Sequence, residues 1–99
     1  MLAYINMNYA APIGLAHLAA LAEIHPSHLS REFKRQIGRS PLEYVLKLRI
    51  QRSAILLIES EKSIKEIALS VGFKRPEAFS KAFKRLKGCS PRHYRAAGP

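Results

Sequence analysis

The sequence predicts an all-α fold of about seven helices, in which one two-helix unit occurs on either side of a long central helix. Three observations predict it. Apolar residues recur at three- and four-residue spacing along most of the chain, and no segment sustains the period-two alternation of a sheet. Helix stops and starts recur in order, as Gly38 then Ser40-Pro41, and Gly88 then Ser90-Pro91. Residues 26–44 also fall on residues 76–94 when the chain is shifted by 50 places. Pro26/Pro76, Ser30/Ser80, Phe33/Phe83, Lys34/Lys84, Arg35/Arg85, Gly38/Gly88, Ser40/Ser90, Pro41/Pro91 and Tyr44/Tyr94 are identical. Nine identities in 19 positions, where unrelated sequence gives roughly one, mark a duplicated unit.

The elements follow in order. An opening helix is expected over 2–9. In the first unit, a helix turns Leu18, Leu21 and Ala22 inward, and a second begins at Pro26, buries Leu29, Phe33 and Ile37, and stops at Gly38. The turn between them lacks glycine, so Ile24 and His25 are expected to close it less regularly than in the other copy. The central helix, Pro41–Glu59, opens on a capping box from Ser40 to Glu43. Its Leu42, Val45, Leu46, Leu48, Ile50, Ile55, Leu56 and Ile58 cover more than one face, as packing by both neighbours requires. At ~1.5 Å per residue its 19 residues span roughly 28 Å. The second unit opens on another box, Ser63 to Glu66, with Ile64, Ile67, Ala68 and Val71 at helical spacing. Gly72 permits the tight turn, Pro76 starts the next helix, Phe79 and Phe83 face inward, and Gly88 ends it. A short helix from Ser90-Pro91 to about Ala97 closes the chain. The single domain thus divides into a first subdomain (1–39), a linker helix (40–61) and a second subdomain (62–99).

Charge narrows the function. The 99 residues carry 17 Lys and Arg against 7 Asp and Glu, a net charge of +10, while 47% hydrophobic residues place the chain among globular proteins. Residues 1–30 hold no base and one acid, Glu23, so every cation lies from Arg31 onward. That asymmetry suits a surface that meets a polyanion, nucleic acid first and an acidic membrane second. No apolar run approaches the roughly 20 residues of a membrane span, and the N-terminus lacks the pattern of a signal peptide. The single Cys89 forms no intramolecular disulfide, which points to a reducing, cytoplasmic compartment.

Each unit reads as a helix-turn-helix whose second helix has a basic exterior. With its apolar residues inward, the first copy presents Ser27, His28, Ser30, Arg31, Lys34 and Arg35. The second presents Arg75, Glu77, Ala78, Ser80, Lys81, Lys84 and Arg85. Short polar residues at the start let the backbone approach base edges, while the cations behind them reach phosphates on the groove walls. One basic helix face is commonly just solvated, but two at matched positions favour double-stranded DNA. Successive major grooves on one face of B-DNA lie roughly 34 Å apart, so a roughly 28 Å linker suits two such helices on one asymmetric site. The small shortfall implies bent DNA or one unit partly engaged.

The chain resembles the AraC/XylS family of bacterial transcription regulators over almost its whole length. The resemblance is carried by Ile64-Lys65-Glu66-Ile67-Ala68-Leu69-Ser70-Val71-Gly72-Phe73, continued by Phe79-Ser80-Lys81-Ala82-Phe83-Lys84-Arg85, Gly88-Cys89-Ser90-Pro91 and Tyr94-Arg95. Leu18-Ala19, Leu29-Ser30-Arg31-Glu32-Phe33-Lys34 and Gly38-Arg39-Ser40-Pro41 are similar to the family's first unit, and 2–15 to its opening helix. By position, the resemblance implies base contacts at Ser27, Ser30 and Arg31, and at Pro76, Glu77, Ser80 and Lys81. Pro76 has neither a backbone N–H nor a polar side-chain atom to offer. Arg31 suits a bidentate contact to guanine, and Glu77 suits a cytosine amino group. Glu77 serves its helix dipole equally well. Lys34, Arg35, Arg75, Lys84 and Arg85 are expected at phosphates. The resemblance also implies contact with RNA polymerase through the closing and central helices.

Family members commonly carry a separate effector or dimerisation domain, and none is expected within these 99 residues. It reads as the DNA-binding part of a longer regulator, with a short stand-alone regulator as the other reading. Enzymatic chemistry finds little footing: there is no Asp, no glycine-rich phosphate loop, and Glu59 and Glu61 sit at a helix end. His25, His28 and Glu32 have a spacing compatible with a metal, but turn and surface histidines are the plainer reading, and no cofactor or metal is expected. The rival reading is a basic helical module that binds nucleic acid non-specifically or an acidic protein.

Overall fold

The computed structural model describes residues 1–98, so position 99, the last of the 62–99 subdomain, lies outside the described residues. Seven α-helices follow one another: α1 (Leu2–Asn8), α2 (Leu15–Ala22), α3 (Pro26–Ile37), α4 (Pro41–Glu59), α5 (Ile64–Ser70), α6 (Pro76–Lys87) and α7 (Pro91–Ala97). No strand occurs among the described residues. The molecule is elongated, 44 × 21 × 21 Å, because α4 carries one hydrophobic core on each half. Ile5, Ile13, Leu18, Ala19, Leu29 and Phe33 pack on Val45 and Leu48 in its first half. Ile67, Ala68, Phe79 and Phe83 pack on Ile50, Ala54 and Leu57 in its second half.

The sequence duplication is a structural duplication. Gly38 ends α3 at φ +89° and donates to the Lys34 carbonyl at 2.8 Å, and Gly88 ends α6 at φ +84° and donates to the Lys84 carbonyl at 2.8 Å. Ser40 Oγ then accepts from Glu43 N–H at 3.2 Å, as Ser90 Oγ accepts from His93 N–H at 3.1 Å. Each serine satisfies an orphan donor at the start of the next helix. Phe33 meets Tyr44 edge-on at 5.8 Å and 75°, and Phe83 meets Tyr94 at 5.4 Å and 76°. Nearly the same knot therefore locks each basic helix to its successor.

Four expectations change. The first turn is as regular as the second: Ile24 N–H reaches Ala19 O at 3.1 Å, as Phe73 N–H reaches Ala68 O at 2.9 Å. The left-handed residue that permits this is Glu23, at φ 57° and ψ 39°, where the second turn has Gly72. Leu21 and Ala22 do not face inward; both are exposed, and Leu18 and Ala19 alone carry the buried face of α2. Leu42 and Ile55 of α4 are also exposed, while Ser53 is wholly buried and donates to Ile50 O at 2.7 Å. The box at Ser40 forms only its serine half, because Glu43 turns toward Arg85 of α6 at 3.7 Å. Around α5 the box is complete, with Ser63 and Glu66 each accepting from the other's backbone at 3.0 Å.

Candidate nucleic-acid interface

The two basic helices are positioned by their aromatic undersides. Leu29 and Phe33 anchor α3, and Phe79 and Phe83 anchor α6, all four buried. Helical periodicity then leaves the opposite face in solvent. On α3 the exposed residues are Ser27, His28, Arg31, Lys34, Arg35 and Gln36, with Ser30 half-buried beside the core. On α6 they are Glu77, Ala78, Lys81, Lys84, Arg85 and Lys87, with Pro76 and Ser80 half-buried. Arg75 is exposed at the N-cap of α6 and makes no side-chain cap there. All the residues singled out for base contact thus sit on the first two turns of their helix, and the cations for phosphate contact flank them.

The two faces differ in electrostatic detail. Arg35 donates to Glu32 at 2.8 Å on the same face of α3. That bond raises the Arg35 pKa and holds the Glu32 carboxyl below its ordinary range. Its match Arg85 instead approaches Glu43 of α4 at 3.7 Å. Both pairs are largely in water, so they cost little to break. Lys34, Lys84 and Lys87 lie in last helical turns, where their charge also complements the C-terminal end of the dipole. At the start of α3, His25 Nδ1 accepts from Ser27 N–H at 3.1 Å, which makes His25 a cap. Among the described residues no group of three or more His, Cys, Asp or Glu is placed to hold a metal.

Two cations serve the fold. Arg49 Nε and Nη2 donate to the carbonyls of Tyr9 and Ala11, at 2.6 and 3.0 Å. Arg95 donates to Leu57 O at 2.9 Å and Ser60 O at 3.2 Å, closing the end of α4. Sequence reasoning counted both in the excess of charge. Arg95 also stands in the stretch that carries the family resemblance, but the role of neither is written in residue type, because the partners are backbone carbonyls.

Comparison with known proteins bears on this geometry. Residues 18–97 match the family model described as a helix-turn-helix domain. The chain is 43% identical over 81 residues to the HTH-type transcriptional regulator MtrA of Neisseria gonorrhoeae, covering 82% of this chain and 27% of that protein. It is 37% identical to a putative AraC-like transcription regulator of Streptomyces antibioticus, over 95% of this chain and 31% of that one. The solved DNA-binding domain of AdpA, a global transcriptional factor in complex with a target DNA, superposes with a TM-score of 0.93 at 31% identity. That match covers 97% of this chain and 86% of the AdpA domain chain. The chain belongs to the AraC-type helix-turn-helix family. It spans about a quarter to a third of the two curated relatives named, 27% and 31%. In this AraC-type domain, α2–α3 and α5–α6 are the two helix-turn-helix units and α4 is the helix between them. The family is one of DNA-binding transcription regulators, and no helix among the described residues is long and apolar enough to cross a membrane.

Proposed function

We propose that this AraC-type domain binds double-stranded DNA sequence-specifically, with α3 and α6 in two successive major grooves, and regulates bacterial transcription within a longer effector-responsive protein. The observation that carries it is the repetition of one exposed face, rich in cations, on two helices that both begin at a proline and both end on a left-handed glycine, Gly38 and Gly88. The DNA complex of the AdpA domain supports duplex DNA as the ligand.

Within this proposal, Ser27, Ser30 and Arg31 meet one box, and Pro76, Glu77, Ser80 and Lys81 the other. Pro76 contributes apolar contact only, such as with a thymine methyl group. Lys34, Arg35, Arg75, Lys84 and Arg85 hold phosphates and set affinity. Subdomains 1–39 and 62–99 are the two reading units, and 40–61 is their spacer. The chain acts as a binding module without a catalytic centre. Contact with RNA polymerase through α7 and exposed α4, an effector or dimerisation domain elsewhere in the protein, and action in the cytoplasm on nucleoid DNA complete the proposal.

Selection from a random pool of duplexes of about 30 base pairs, room enough for two half-sites a helical turn apart, tests it across a salt series. An asymmetric two-box motif is expected. With five phosphate-contacting cations, log affinity is expected to fall with log salt at a slope of roughly −4 to −5. Tight binding with no enriched motif would favour an architectural role, and indifference to duplex DNA would favour an acidic protein partner.

A further inference from the structure

The α1–α2 loop and the α5–α6 turn belong to different reading units, yet they meet at one place. Arg49 stands midway along α4, half-buried, with no carboxylate partner among the described residues. Its guanidinium holds the loop through Tyr9 O and Ala11 O, and its Cζ lies 5.8 Å from the centre of the Phe73 ring in the turn. Gly72, beside that ring, is at φ +108°, and a Cβ placed on it would stand 2.9 Å from Arg49 Nε and 3.0 Å from both Cα and O of Ala10. Loop and turn are therefore in backbone contact across the guanidinium. Arg52, one turn along α4, faces the Tyr9 ring at 5.9 Å.

A planar guanidinium that donates to two carbonyls and lies over a ring ties three segments together in one fixed geometry, which a flexible, compact lysine ammonium reproduces less well. The joint lies between the two hydrophobic cores, where the loop and the turn meet beside α4. We propose that Arg49 is the positioning residue that sets the spacing at which the two DNA boxes are read. It touches no DNA in this scheme; it holds the α3 unit against the turn that launches α6. The inference rests on the two-box reading above. One added base pair moves a box by about 3.4 Å and turns it by about 35° around the duplex axis, a displacement that a locked joint does not follow and a hinged one does.

The test measures binding of the wild type, Arg49→Ala and Arg49→Lys to duplexes with the selected boxes at their native spacing, with one or two base pairs added or removed, and with one box alone. The wild type is expected to lose at least tenfold for one inserted base pair. Both variants should narrow that loss to less than about threefold while binding the single-box duplex as the wild type does. Arg49→Lys keeps the charge and serves if Arg49→Ala does not fold. A spacer profile like the wild type's in the variants would overturn the proposal. So would a uniform loss on every duplex, single box included, since that marks Arg49 as a stabiliser alone. If the wild type itself ignored the second box, the two-box reading would fail with it, visibly and before any variant is compared.

Discussion

Glu23 and Gly72 hold the same place in the two turns, and a left-handed backbone costs them differently. A non-glycine residue in that region pays roughly 1–2 kcal/mol, which glycine avoids at some entropic cost in the unfolded chain. Glu23 is exposed at φ 57°, so Glu23→Gly is expected to stabilise the chain by about 0.5–1 kcal/mol. Gly72→Ala runs the other way: its Cβ meets Arg49 and Ala10 at 2.9 to 3.0 Å at φ +108°, and a loss of about 1–3 kcal/mol is expected. Urea midpoints of the two variants check both signs. Glu23 also explains a misjudgement of the sequence: a missing glycine suggested an irregular turn, but the hydrogen bonds demand a left-handed residue there, and an exposed Glu accepts the strain. Arg49 and Arg95 were hidden for a different reason. The carbonyls that Arg49 bonds lie 40 and 38 positions away, and no local pattern encodes such a pairing.

Among the elements, the caps decide boundaries. Ser-Pro and glycine signals were legible because they act within a few residues, so the starts of α3, α4, α6 and α7 match expectation. Which apolar residues face the core was less legible along α2 and α4, where Leu21, Leu42 and Ile55 are exposed. These helices are apolar on several sides, so periodicity cannot choose the buried one. The capping box of α5 gives a test at this scale. Backbone and side-chain hydrogen bonds from Ser63, in that order, hold the Glu66 carboxyl below its ordinary pKa. A carboxyl lowered by folding contributes stability above its unfolded pKa and loses it as pH falls through the lowered value. Glu66→Gln should therefore lower stability at neutral pH and converge on the wild type as acid protonates Glu66, which flattens the acid limb of the profile. Ser63→Ala should cost about 1 kcal/mol at neutral pH and keep part of that cost in acid, where the lost cap is still missing, and thermal melts across pH separate the two.

At the scale of the whole molecule, the fold is one unit built twice and splinted by α4, and its charge is placed accordingly. Residues 1–30, free of Lys and Arg, provide α1, α2 and the start of α3, largely scaffold. The exposed faces of α3 and α6 carry matched Lys34 and Lys84, and Arg35 and Arg85. If both faces read DNA, phosphate and base contacts should separate cleanly. Lys34→Ala and Lys84→Ala should weaken all duplexes alike and each reduce the salt slope by about 1, as titrations at several salt concentrations would register. Arg31→Ala and Lys81→Ala should instead relax sequence preference, each by about 1–3 kcal/mol at its own positions. Parallel selection from one random duplex pool by the wild type, Arg31→Ala and Lys81→Ala is the most direct measurement of the central claim. Two boxes about one helical turn apart, with one blurred by Arg31→Ala and the other by Lys81→Ala, are the predicted result. A single box blurred by both variants, or a motif that neither changes, would contradict it.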